Sequence, residues 1–313
     1  MRFMADQLDI GVGLGHGLRL RGPVMVASGT FGYGFDAPLV DRSALGAIVT
    51  KGTTPRPRAG NAPTRIAETP SGMLNAIGLQ NPGVEHVARE YAPIWASWEV
   101  PVIVNVAGDA IQDYVEVARR LDGVAGVAGL ELNISCPNVV NGLQFGLDPR
   151  LAAELTMAVR RATELPLIVK LTPNVTDIVA VGRAVEAAGA DAVSAINTYV
   201  GMAIDVRRRR PMLSRGSGGV SGPAIKPMAL QAVWQLAAEL SIPVIGIGGI
   251  TTPSDALEFL LAGAVAVQLG TVNYLRPEST REVLDGIAQY MHQHRFNNLR
   301  ALPIRGVRAM AHA

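Results

Sequence analysis

The chain has 313 residues, 28 of them basic and 26 acidic, for a formal charge of +2. That balance gives no electrostatic reason to expect a nucleic acid or an anionic membrane as partner. Apolar residues make up 49% and aromatics 5%, so the core must come from Ala, Val, Leu and Ile, and one cysteine excludes an internal disulfide, a cysteine-based zinc site and an iron–sulfur cluster held by this chain alone. Lysine occurs only at Lys51, Lys170 and Lys226; the other basic residues are all arginine. Such a bias suggests that lysine is kept where a planar guanidinium does not serve.

The first ten residues carry Asp6 and Asp9 ahead of any long apolar run, unlike a secretory signal. The apolar stretch Phe259–Val267 is far shorter than the roughly 20 residues of a membrane helix. A cytoplasmic protein is expected. Leu8–Leu20 alternates around Gly13–Gly17 and reads as a hairpin placed to plug a barrel floor. Eight short β-branched runs follow: Pro23–Ser28, Ala47–Lys51, Val102–Asn105, Leu130–Ile134, Leu167–Leu171, Ala192–Asn197, Val244–Gly249 and Ala264–Thr271. Runs so continuously apolar suit parallel strands buried on both faces. Helical periodicity covers about 83–98, 109–121, 150–164, 176–188, 228–240, 254–263 and 278–294, with Asp148-Pro149 and Thr252-Pro253 as start signals. A shorter helix is expected over Phe35–Ala44. The alternation predicts a (β/α)8 TIM barrel, α/β in class, as one domain spanning 1–313. The connections Gly52–Pro101 and Thr198–Pro243, after strands 2 and 6, are long.

Chemistry in such barrels sits at the C-terminal strand ends. Those ends carry Ser28, Lys51, Asn105, Asn133, Lys170, Asn197, Gly248-Gly249 and Gly270-Thr271. Polar groups converging from every strand point to a ligand site, and the glycines at the last two strands suit a phosphate approached by backbone N–H groups. GVGLGHG (11–17) and GSGGVSG (216–222) lack the spacing of dinucleotide or P-loop motifs; the second reads as a flexible loop closing on a ligand. Cys136 follows strand 4 in NISCPN and, once deprotonated, could act as a base. The histidines at 16, 86, 292, 294 and 312 lie away from strand ends, against a histidine base or metal site. Arg207–Arg210 reads as a solvated loop, with a subunit contact as the alternative.

SGMLNAIGLQNPG (71–83), NVAG (105–108), LNISCPN (132–138), VKLTPNVTDI (169–178), INT (196–198), SGPAIKP (221–227), GIGGI (246–250) and LGT (269–271) occur in order on the expected strands. From about Ser28 to Pro277 the chain resembles the dihydroorotate dehydrogenases, most closely the class 1B catalytic subunit. The resemblance implies FMN across the barrel mouth, held by Ser28, Lys51, Gly52, Asn105, Asn133, Lys170, Ile196, Gly222, Gly248, Gly249, Gly270 and Thr271. It implies dihydroorotate bound by Lys51, Asn75, Ala76, Ile77, Gly78, Leu79, Asn133, Asn197 and Thr198. Cys136 would remove the C5 proton as hydride leaves C6 for the flavin, Lys170 would stabilise the reduced flavin, and Gly142 and Gly146 would flank a closing loop.

The same resemblance implies a partner subunit carrying FAD and a [2Fe–2S] cluster, passing electrons to NAD+ in a heterotetramer built on a homodimer. A fumarate-reducing class 1A-like enzyme and a non-catalytic flavin-binding barrel subunit are the alternatives. The membrane quinone-linked class is disfavoured, because cysteine stands where that class uses serine. Two features depart from the family pattern. Val139–Gly146 is about one residue short, and the tail at 304–313 matches nothing recognised. Lys226 is expected to play a structural role at a helix start, with a phosphate-side role as the alternative.

Overall fold

The computed structural model describes residues 8–36, 39–135 and 145–302. Eight parallel strands close into a barrel: β1 (Val24–Val26), β2 (Ala47–Val49), β3 (Val102–Val106), β4 (Gly129–Asn133), β5 (Leu167–Leu171), β6 (Ala192–Ala195), β7 (Val244–Ile247) and β8 (Ala266–Leu269). Each strand pairs with the next, and β8 returns to β1 through Val267 against Val24. Strands β1, β2, β6, β7 and β8 are shorter than their apolar runs because the last residues of those runs leave the ladder and turn into the loops above. By contrast, β5 matches its run, β4 starts and ends one residue earlier than expected, and β3 extends one residue further than the other strands' pattern suggests. They are buried on both faces, as a sheet ringed by helices requires. Each large aliphatic side chain so buried contributes about 1.5–3 kcal/mol.

The helices follow their start signals. Asp148 caps Pro149–Arg160 by accepting from the Arg150 N–H. Thr252 and Asp255 form a reciprocal capping box at Pro253–Ala262, which ends on Gly263 in the left-handed region. The stretch expected at 83–98 is instead broken into Val84–His86, a π-turn over Val87–Tyr91, and Ala92–Trp95. Pro93 has no N–H to give the carbonyl four residues earlier, which accounts for the irregularity. After β1 only a single 3-10 turn, Arg42–Ala44, stands among the described residues of the expected Phe35–Ala44 helix.

At the N-terminal end of the barrel, Val12–Gly13 pairs antiparallel with Arg19–Leu20. Leu14 and Leu18 of this hairpin are buried, and Leu18 packs against Gly129 at the start of β4. At the opposite end the two long connections build a four-stranded antiparallel sheet. Its order is Tyr199–Gly201, Gly218–Ser221, Gly72–Asn75 and Ile66–Thr69. GSGGVSG is therefore no free loop: Gly218–Ser221 is an inner strand of that sheet, hydrogen-bonded on both sides. The close pairing explains its glycines, since a Cβ on Gly219 would run into Thr198. No helix among the described residues is long and apolar enough to cross a membrane.

Candidate active site

The C-terminal strand ends and the four-stranded sheet enclose a cavity of about 600 Å³. Ser28 reaches it from beyond β1, Lys51 and Gly52 from beyond β2, Asn105 from β3, Asn133 from the end of β4, and Lys170 from β5. Ile196, Asn197 and Thr198 follow β6, Gly248 and Gly249 follow β7, and Gly270 and Thr271 follow β8. The sheet adds Asn75, Gly222 follows its second strand, and Ala76, Ile77, Gly78 and Leu79 follow its third. Every residue expected at the cofactor or substrate site thus lines one mouth, Cys136 aside. Cys136 and Gly142 lie outside the described residues. Ser135 lines the cavity, and its hydroxyl is buried without a hydrogen-bond partner among the described residues.

Side chains around the mouth are held by one another. Asn133 Oδ1 accepts from Asn197 Nδ2 at 3.1 Å, and Asn197 Oδ1 accepts from the Thr198 N–H at 2.8 Å. Asn174 Nδ2 donates to the Thr198 carbonyl at 3.0 Å, and Thr271 and Ser221 share a hydrogen bond of 2.9 Å. Such mutual anchoring fixes rotamers before any ligand arrives, which lowers the entropic cost of binding. Gly248, Gly249 and Gly222 adopt φ of +131°, +72° and +96°. A Cβ on Gly249 would stand 2.9 Å from the Gly222 carbonyl, so the loops after β6 and β7 approach backbone to backbone.

Two of the three lysines face this mouth. Lys170 is 4% exposed; its Nζ donates to Ser28 Oγ at 3.2 Å and stands 3.9 Å from Glu131 Oε1. Burial, and secondarily the charge of Arg65, lowers the Lys51 pKa. No carboxylate pairs with Lys51 among the described residues, so it is available to an anion. Lys226 is different. It sits outside the barrel, donating to Asp255 at 2.7 Å and Glu258 at 2.9 Å, and so ties two helices together in a structural role.

Sequence reasoning missed Glu131, Ser194 and Gln268, which form a buried polar layer under the mouth. A signal was present: Glu131 interrupts the apolar run LELN two residues before Asn133, on the same face of the strand. Asn174, Arg215, Ser217 and Tyr274 of the lining were also unforeseen. Gly146 is buried in the 3-10 turn Phe145–Leu147, its N–H bonded to the Ile134 carbonyl. None of the described histidines lines the cavity, and Arg207–Arg210 is exposed. A second hollow, of about 910 Å³, lies at the hairpin end of the barrel. Arg281 is paired there with Asp41 and Arg21 with Glu99, and none of the eight barrel strands lines it.

A family model for dihydroorotate dehydrogenase matches residues 15–291. A protein of Desulforamulus reducens named dihydroorotate dehydrogenase B (NAD(+)), catalytic subunit, is 52% identical over 95% of this chain and 98% of its own length. A Trichlorobacter lovleyi protein of the same name is 55% identical over 88% of this chain and 91% of its own. Among solved structures, an Eimeria tenella DHODH crystallised with ferulenol superposes with a TM-score of 0.80 at 20% identity, covering 95% of this chain and 88% of that one. At that identity the likeness speaks for the fold.

Proposed function

Because this chain belongs to the dihydroorotate dehydrogenase family, we propose that it oxidises (S)-dihydroorotate to orotate in de novo pyrimidine (UMP) synthesis, using FMN at the barrel mouth. The observation that carries the reading is the convergence of Lys51, Lys170, Asn105, Asn133 and Asn197 on one cavity. Asparagine amides donate and accept at once, which suits ring edges of alternating C=O and N–H, and the free ammonium of Lys51 suits the substrate carboxylate. The mouth also fits FMN. Asn105 Oδ1 is buried without a partner among the described residues, and the glycines after β7 and β8, with Thr271, offer a phosphate a side-chain-free approach.

FMN, when bound, would supply the hydride acceptor for the substrate's C6. The rest of the mechanism falls to the chain. Lys51, Asn75, Asn133, Asn197 and Thr198 hold the dihydroorotate ring and carboxylate, with the backbone of Ala76–Leu79 forming one wall. Cys136 Sγ takes the C5 proton, a role its place one residue beyond the lining residue Ser135 supports. Lys170, held by Ser28, would place positive charge beside the bound flavin and so favour the acceptance of negative charge there.

Electrons leave through a partner subunit carrying FAD and an iron–sulfur cluster, which reduces NAD+. One cysteine in 313 residues cannot hold a cluster, and the relatives above are named catalytic subunits. A dimer of this chain is the core of that assembly. Supporting it, Val200, Met202, Ile204 and Val206 expose apolar surface on the outer sheet and its neighbouring hairpin, with Val206 81% exposed. In steady-state assays, dihydroorotate-dependent NAD+ reduction should need the co-purified partner, and Cys136→Ala should lower it at least a hundredfold with FMN retained. Fumarate reduction by the chain alone would favour the class 1A-like alternative; full activity of Cys136→Ala would remove the base assignment.

A further inference from the structure

Glu131 has no part in the roles above, yet it is fully buried in β4 just beneath the mouth. Its Oε1 accepts from Asn105 Nδ2 at 2.8 Å and lies 3.9 Å from Lys170 Nζ. Its Oε2 accepts from Ser194 Oγ and Gln268 Nε2, both at 2.9 Å. One carboxylate thus gathers side chains from β3, β5, β6 and β8. Barrel interiors are usually filled by branched apolar side chains, and burying a carboxylate is costly, so packing alone does not call for glutamate here.

An ionised carboxylate only accepts hydrogen bonds, so any amide that meets it must turn its NH2 inward. That decides how Asn105 stands. With Nδ2 committed to Glu131, Oδ1 is left over, buried and without a partner among the described residues, on a side chain that lines the mouth. Gly52 leaves room beside it: a Cβ at that position would lie 3.1 Å from the Asn105 oxygen. Lys170 gathers at the same carboxylate oxygen.

We infer that Glu131 is a positioning residue, setting the Asn105 amide so that the mouth presents an acceptor beside the Lys170 cation. An acceptor next to a donor matches a ring edge on which N–H adjoins C=O, as on the pyrimidine part of a flavin. The inference rests on the FMN reading of this site.

A donor–acceptor swap tests it. In Glu131→Gln one oxygen becomes an NH2 group, so the Asn105 amide is no longer forced. In Asn105→Asp a second carboxylate faces the first. In the double variant the new amide at position 131 can donate to the new carboxylate at 105, whose other oxygen replaces Asn105 Oδ1, and the total charge is unchanged. FMN affinity of the deflavinated full-length chain is read by quenching of flavin fluorescence. Each single variant should bind about tenfold more weakly or worse, and the double variant should return to within about threefold of wild type. Wild-type affinity in Glu131→Gln, or a double variant showing the product of the two single losses, overturns the inference. Should Glu131→Gln fail to fold, the double variant decides alone: a folded, FMN-binding chain supports the pairing, and one that neither folds nor binds refutes it. A wild-type chain that does not bind FMN would instead remove the functional reading.

Discussion

Lys51, Lys170 and Lys226 differ in what surrounds each ammonium, and that difference decides what arginine would do in its place. Lys170 is wedged between Ser28 and Glu131 inside the barrel, where a larger planar guanidinium has no room. Lys51 projects into the mouth, its charge already disfavoured by burial and unrelieved by any carboxylate among the described residues. Lys226 only bridges Asp255 and Glu258 at a partly exposed site, where arginine can reach the same oxygens. Arginine at position 51 or 170 should therefore cost at least tenfold in dihydroorotate oxidation or FMN retention, and at 226 less than threefold. Equal tolerance at all three, measured by kcat/KM and flavin content, would mean that the scarcity of lysine is only compositional.

Between elements, the Lys226–Asp255–Glu258 cluster joins Lys226–Glu239 to Pro253–Ala262, and Asp255 also completes the capping box with Thr252. Burial by itself would raise the Asp255 pKa, but the Lys226 ammonium and the donors of Thr251 and Thr252 outweigh it and bring the value to about 2. A carboxyl that holds its proton less tightly folded than unfolded stabilises the protein above its unfolded pKa near 3.8. That contribution, on the order of 1–2 kcal/mol for a partly solvated pair, is lost as pH falls from about 4 toward 2. Urea titrations of wild type and Asp255→Asn at a series of pH values should show the variant less stable at pH 6, with the gap narrowing below pH 4. A gap that stays constant with pH would contradict this origin.

At the scale of the molecule, the barrel and most of its mouth were legible in the sequence, because β-branched runs and the polar residues that end them are local signals. Asn133, Lys170 and Thr271 could be placed from strand position alone. The four-stranded sheet above the barrel was not legible. Its strands pair Asn75 with Gly219, far apart in sequence, and the glycines of Gly218–Ser221 weaken any local strand signal. Glu131 was overlooked for the opposite reason: a charge inside an apolar run looks like an exception until the structure shows its three hydrogen-bond donors.

The most direct measurement is anaerobic mixing of the purified chain with dihydroorotate while its flavin absorbance is followed. The protein should be yellow, carry about one FMN per chain, and bleach on mixing without any partner subunit. A colourless protein, or a yellow one whose colour persists under excess dihydroorotate, would contradict the assignment of this mouth as a dihydroorotate-oxidising FMN site.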